Sequence, residues 1–263
     1  MIPAEHQNFV DSLAEILIHD AQYVGLAAGS SWIDGQMDHF SDVDLVIVHK
    51  ADFLSLSERK SLAGSAGNLL AGFTGEHVGE PRLLICLYDD PLLHVDLKFV
   101  SLSDMHTRVE DPVIIWERDE AITAVLQNSG AEFPHPDYQW IEDRFWVWIH
   151  YAAAKIGRGE LFETLTFISF MQQNVLGPLA LIKNGYLPKG VRKLEMHLPE
   201  SDLLVMQSTL ARYDRSSCLN ALYRIVDYYK TLREAVMPDT VERNLPAERR
   251  VMLYLKETDS VQK

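Results

Sequence analysis

Apolar residues follow two different periods along the chain, and the change of period divides it. Phe9, Val10, Leu13, Ile16 and Leu17 recur at helical spacing and predict a helix over 6–21 with one buried face. Two short apolar runs follow, Tyr23–Ala28 and Asp42–Val48, each short enough to be a buried strand. Leu54, Leu56, Leu62, Leu69 and Leu70 predict a helix over 53–71, with Ser55-Leu-Ser-Glu58 as its start signal and Gly64 and Gly67 weakening its middle. Arg82–Tyr88 and His94–Val100 read as strands on either side of the turn Asp89-Asp90-Pro91, and Pro112–Glu117 as a short edge strand. Gln127–Asp137 concentrates turn formers and two prolines, which marks a boundary. From Tyr138 onward the period is helical: helices are expected over 140–156, 160–176 (broken near Gly177-Pro178), 179–183, 201–213, 216–237 and 246–256. The domains expected are therefore 1–126 and 139–263, with a linker over 127–138.

Composition adds size and setting. With 263 residues and 47% hydrophobic content the chain can bury a sizeable core. No apolar run is expected to reach the length of a membrane span, and the N-terminus lacks a basic-then-apolar signal pattern. Cys86 and Cys218 lie far apart in sequence, so a reduced, cytoplasmic setting is the expectation. The net charge of −14 argues against a nucleic-acid partner, whose phosphates most of the surface would repel. It favours a cationic substrate, or else serves only solubility.

The chemistry concentrates between the first two strands. Gly29-Ser30 leaves a strand without a bulky side chain, so backbone N–H groups and the hydroxyls of Ser30 and Ser31 can meet phosphate oxygens closely. Asp42-Val43-Asp44 then opens a strand, and alternation puts both carboxylates on one face. Two carboxylates side by side repel each other, and a divalent cation between them removes the conflict; hard oxygen ligands suit Mg²⁺. On His94–Val100, Asp96 shares a face with His94 and Lys98. A polar trio on an apolar strand must face a cleft or be paired, since burial without partners costs several kcal/mol. Asp96 is thus the expected third carboxylate, and Lys98 either contacts a phosphate or offsets Asp96. Asp34 and Asp38 are read as exposed loop carboxylates, not ligands.

Gly29-Ser30 followed by Ser41-Asp42-Val43-Asp44-Leu45, with Asp96 on a later strand, resembles the signature of the DNA polymerase β-like nucleotidyltransferases. The length and helical second half are similar to the small-molecule, antibiotic-modifying members of aminoglycoside and lincosamide type. The resemblance implies an α+β fold: a nucleotidyltransferase domain with a mixed sheet and flanking helices, then a C-terminal helical bundle. It also implies Mg²⁺, two ions held by Asp42, Asp44 and Asp96, with ATP or another nucleoside triphosphate as co-substrate and a small hydroxylated acceptor. A monomer or homodimer is expected. In similar enzymes a basic residue of the helical domain reaches the triphosphate, and Lys155 is the candidate here, ordinary helix-end placement being the alternative.

Three other features carry weaker readings. Glu160 either faces a cationic substrate or starts a helix. The stripe Trp140, Phe145, Trp146, Trp148 and Tyr151 is core or, less plainly, a stacking platform. Arg144 and His150 loosely resemble the Arg-x(4–6)-His pattern of helical RNases that pair with small nucleotidyltransferase domains, which opens a rival reading as a toxin-neutralising partner domain. A protein or RNA acceptor is a further alternative.

Overall fold

A computed structural model describes residues 2–260, and the chain divides into two compact units after Phe133. The first contains α1 (Ala4–Ile18), β1 (Tyr23–Ala28), β2 (Val43–His49), α2 (Leu56–Ser65), β3 (Asn68–Gly75), β4 (Glu80–Asp89), β5 (Leu93–Ser101), β6 (Val113–Glu117) and α3 (Ala121–Asn128). The six strands form one mixed sheet in the order β3-β4-β5-β2-β1-β6, in which only β2 and β5 run parallel. The fold is α+β.

Alternation along the central strands decides which face is core. Val43, Leu45 and Ile47 of β2 and Val95, Leu97 and Phe99 of β5 are buried with Phe9, Val10, Leu13 and Leu17 of α1 and Leu62 of α2. The opposite face is apolar over only half its length, where Val48 and Val100 pack with Met105 and with Ile122 and Val125 of α3. The remaining half of that face carries Asp44 and Asp96.

Two elements of this unit differ from the sequence expectation. The helix expected over 53–71 stops at Ser65, and Leu69 and Leu70 belong to the edge strand β3. Gly67 is the break: a Cβ there would lie 3.2 Å from the Tyr88 ring, so the missing side chain lets the chain pass Tyr88 into the sheet. The start signal at Ser55 forms a full capping box with Glu58. Helix α3, not expected from the sequence, begins after Asp119 and Glu120, both at positive φ, and is fixed by Ile122 against Gly25, where an added Cβ would meet Ile122 Cδ1 at 2.3 Å.

The second unit is helical: α4 (Tyr138–Arg158), α5 (Leu161–Met171), α6 (Gly177–Lys183), the single turn α7 (Leu194–His197), α8 (Glu200–Ser208), α9 (Arg215–Val236) and α10 (Leu245–Ser260). Its core is built from α4, α5, α6 and α9, with Phe145 stacked on Tyr229 at 3.6 Å between ring centres. The fully buried Glu142 accepts hydrogen bonds from Tyr229, Trp146 Nε1 and Arg233 Nη1, the last at 3.2 Å.

Gly177-Pro178, expected to break the chain, does not. A π-helical stretch, Gln172–Leu176, joins α5 to α6 without interruption. Proline clashes with the carbonyl four residues back in a regular helix, and the wider turn relieves that clash. Gly177 serves close approach: a Cβ there would lie 2.3 Å from the Gly190 carbonyl oxygen. Leu161–Lys183 is consequently one helical stretch long and apolar enough to cross a membrane, contrary to the expectation of none. Its most apolar window has mean hydropathy 1.3 and is 56% buried in this unit, and that core placement accounts for its composition.

Candidate active site

Asp44 and Asp96 face each other directly across the parallel pair β2–β5, in the register Val43↔Val95, Asp44↔Asp96, Leu45↔Leu97. Asp42 lies just before β2, two residues from Asp44 and therefore on its side of the sheet. One oxygen from each of the three carboxylates lies within 4.8 Å of the others, and all three residues are half-buried. The donor set fits Mg²⁺: it consists of hard oxygens only, and an octahedral shell with bonds of about 2.0–2.1 Å places neighbouring oxygens about 3 Å apart, which these carboxylates reach by drawing in around the ion. His94, on the same face, has Nε2 3.0 Å from Asp96 Oδ1.

Gly29-Ser30 comes off β1 beside Asp44. The Gly29 N–H donates to the Asp44 carbonyl at 2.9 Å, which continues the β1–β2 ladder past its last pair, Ala28↔Leu45. Ser30 sits in the left-handed region at φ 51°, uncommon for a residue with a Cβ, and starts a short 3₁₀ turn through Ser31 to Trp32. That turn aims the Ser30 N–H at Glu110 Oε1, 2.8 Å away. A carboxylate oxygen therefore occupies the position where the sequence places a phosphate oxygen. Gly29 keeps this approach open, since a Cβ there would lie 3.1 Å from the same oxygen.

A cleft of about 250 Å³ lies on the half of the sheet face that carries Asp44 and Asp96. Gly29, Ser30 and Glu110 form one flank, Asp44 and Asp96 the middle, and Glu80, Arg82, Lys98 and Asp104 the other flank. Lys98 Nζ lies 2.8 Å from Glu80 Oε2. Glu80 also accepts from Arg82 Nε and Nη2, both at 2.8 Å, and Arg82 Nη1 reaches Asp104 at 3.3 Å. The Arg82 guanidinium, with help from Lys98, holds the Glu80 carboxyl down at about 2 against the opposing effect of burial. Backbone and hydroxyl bonds from Ser101 hold Asp104 low as well.

Glu80, Arg82, Asp104 and Glu110 escaped the sequence reading. Glu80 and Arg82 stand two apart at the start of a strand, which hints at a shared face, but Glu110 sits in a loop with no motif. Asp34 and Asp38 are exposed, and Asp38 is used within its loop, accepting from the Phe40 N–H and the Ser41 hydroxyl.

In the helical unit, Lys155 Nζ lies between Glu160 Oε2 at 2.7 Å and Glu163 Oε2 at 2.9 Å, above the Tyr151 ring. These two carboxylates raise its pKa. To meet a triphosphate it would have to leave both. Glu160 is accounted for by this pairing and by the N-cap position of α5. Phe145 and Trp146 are core, whereas Trp140, Trp148 and Tyr151 lie at or near the surface. Arg144 lies over the Trp140 ring at 4.6 Å and His150 against Tyr254 at 4.6 Å. Six positions along a helix place the two residues about 9 Å apart in rise and on different faces.

No protein-family model matches the chain, and no curated protein sequence matches it. Among solved structures, the chain is similar to an aminoglycoside 6-adenyltransferase from Bacillus subtilis, at 13% identity over 97% of this chain and 99% of that one, with a TM-score of 0.45. It is also similar to a nucleotidyltransferase-like protein from Exiguobacterium sibiricum 255-15, at 13% identity over 97% of this chain and 89% of that one, with a TM-score of 0.36. At such identities and scores neither likeness transfers a residue's role, and the chemistry of the cleft stands on its own atoms.

Proposed function

We propose that this protein is a Mg²⁺-dependent nucleotidyltransferase that moves AMP from ATP onto a hydroxyl of a small molecule and releases pyrophosphate. The observation that carries the reading is that one oxygen from each of Asp42, Asp44 and Asp96 lies within 4.8 Å of the others, with Asp44 and Asp96 paired across two parallel strands in the cleft that Gly29 and Ser30 also line. A surface cluster of acids would not need a parallel strand pair to bring it together, nor a strained serine beside it.

Bound Mg²⁺ would withdraw charge from the phosphoryl oxygens and make the acceptor hydroxyl a stronger nucleophile. The chain's own part is positioning. Asp42, Asp44 and Asp96 would hold the metal through their carboxylate oxygens. The Ser30 N–H and the hydroxyls of Ser30 and Ser31 take the outer phosphate oxygens, in place of Glu110. The acceptor oxygen bonds to the α-phosphorus, the bond to the bridging oxygen of the β-phosphate breaks, and the hydroxyl proton passes to a carboxylate of the cleft. Catalysis of this kind is mainly alignment and charge stabilisation. Lys155, engaged by Glu160 and Glu163, is not counted in the phosphate grip.

The test is pyrophosphate release with Mg²⁺ and each nucleoside triphosphate, in the presence of pooled hydroxylated acceptors. Aminoglycosides and lincosamides supply the first pools, and a cytoplasmic, antibiotic-modifying role is the form this reading takes if one of them is turned over. Release that requires an acceptor and disappears in Asp44→Asn is the expected result.

A further inference from the structure

The flank of the cleft away from Gly29-Ser30 presents hydrogen-bond donors, not acceptors. Arg82 carries five N–H donors and Lys98 three. Glu80 takes Arg82 Nε and Nη2, Asp104 takes one Nη1 donor, and Glu80 takes one from Lys98. Among the described residues that leaves two donors on Arg82 and two on Lys98. The acids beside them have no such surplus: Glu80 engages both oxygens, and Asp104 uses Oδ2 on the Ser101 N–H and hydroxyl and Oδ1 on Arg82. Both cations are more open than the carboxylate that joins them, at 40% for Arg82 and 37% for Lys98 against 22% for Glu80, while Asp104 is 36% exposed. Glu80 thus fixes two cations side by side with their remaining donors available to the cleft.

Strand order separates this flank from the phosphate grip. Gly29 leaves β1, and Arg82 lies on β4, three strands away across β2 and β5. At the usual strand spacing that is about 14 Å, with the Asp44–Asp96 pair in between. A triphosphate seated at Ser30 with its α-phosphorus at the carboxylates leaves the β4–β5 flank to the other substrate.

We infer that Arg82 and Lys98 form an oxyanion subsite for the acceptor, which carries a phosphate or carboxylate near its reacting hydroxyl. This inference rests on the nucleotidyltransferase reading and narrows its acceptor. It departs from the cationic acceptor that the net charge of −14 suggests. Local geometry outweighs net charge here, because charges more than about 10 Å away are largely screened at physiological salt.

The test is calorimetric titration of inorganic phosphate into protein saturated with Mg²⁺ and α,β-methylene-ATP, so that the nucleotide's own phosphates already fill their site. Phosphate is expected to bind the wild type. Arg82→Gln and Lys98→Gln should each weaken it about tenfold, while nucleotide affinity stays within about twofold. Glu80→Gln, which releases both cations, should tighten it, a gain that a misfolded variant cannot mimic. Displacement of phosphate by the nucleotide analogue would assign the two cations to the triphosphate and overturn the inference. So would unchanged phosphate affinity in both cation variants, or no phosphate binding by the wild type. If the analogue itself fails to bind, the nucleotidyltransferase reading fails instead. The same phosphate titrations without nucleotide then decide whether Arg82 and Lys98 bind an oxyanion at all.

Discussion

The Glu110 carboxylate accepts the N–H of Ser30 at 2.8 Å, from a loop eighty residues further along the chain. This bond holds an anion against the strained turn that the sequence marks as a phosphate grip, and it shows that the N–H points into the cleft. On the proposed reading a nucleotide phosphate takes the place of Glu110 and is repelled by it. Glu110→Gln keeps an oxygen in position and removes the charge. The variant should therefore bind Mg²⁺-ATP several-fold more tightly, as read by titration calorimetry. Weaker binding would mean that the carboxylate serves the nucleotide complex directly.

Acid should loosen the sheet through Glu80. Its carboxyl is held at about 2, below the ordinary 4.5, by Arg82 and Lys98. A depressed carboxylate contributes stability that is present above its unfolded value and is lost as pH falls through the folded one. The contribution should thus fade between about pH 4.5 and pH 2. Melting temperatures measured across that window should fall less steeply for Glu80→Gln than for the wild type, and the two should differ by a constant amount near neutrality.

Arg233→Met tests the helical unit. Glu142 is fully buried and Arg233 almost so, and the guanidinium also reaches Glu248 at 3.1 Å. Removing only the cation leaves a buried carboxylate with the neutral donors of Tyr229, Trp146 and the Asn244 N–H, a change that costs about 3–5 kcal/mol. Denaturant unfolding of the helical unit should show a loss of this size. Replacing Glu142 by Gln in the same background should recover part of it.

Gly177→Ala should be damaging for a backbone reason. The added methyl would meet the Gly190 carbonyl oxygen at 2.3 Å and its carbonyl carbon at 2.9 Å, and the Gln172 carbonyl oxygen at 3.0 Å, all backbone atoms. Neither side can yield by rotating a side chain, so a cost of about 1–3 kcal/mol is expected, read as a lowered melting temperature. Alanine tolerated without loss would show that the 185–190 loop shifts freely.

What the sequence disclosed and what it withheld divide along physical lines. Asp44 and Asp96 were legible because period-two alternation fixes a strand's faces, and an acid on an otherwise apolar strand needs a reason. Ser55 and Glu58 were legible because capping is local. Leu69 and Leu70 misled because an apolar pair fits a helix turn as well as an edge strand, and Gly67, the deciding residue, acts through Tyr88, which lies twenty-one residues on. Gly177-Pro178 misled because a π turn leaves no mark of its own in the sequence. Glu110 and Arg82 reach the cleft through a loop and a strand start, and neither position carries a period. Lys155 was noticed for its charge, but the partners that hold it, Glu160 and Glu163, lie at the start of the next helix.

The central claim is that Asp42, Asp44 and Asp96 hold a divalent cation and, through it, a nucleoside triphosphate. Titration of α,β-methylene-ATP into the protein with and without Mg²⁺, repeated for Asp44→Asn and Asp96→Asn, tests it most directly. The account predicts binding that requires Mg²⁺ and falls at least about tenfold in each variant, with melting temperatures unchanged or raised by relief of carboxylate repulsion. Binding that is equally tight without Mg²⁺, or that survives both substitutions, would contradict it.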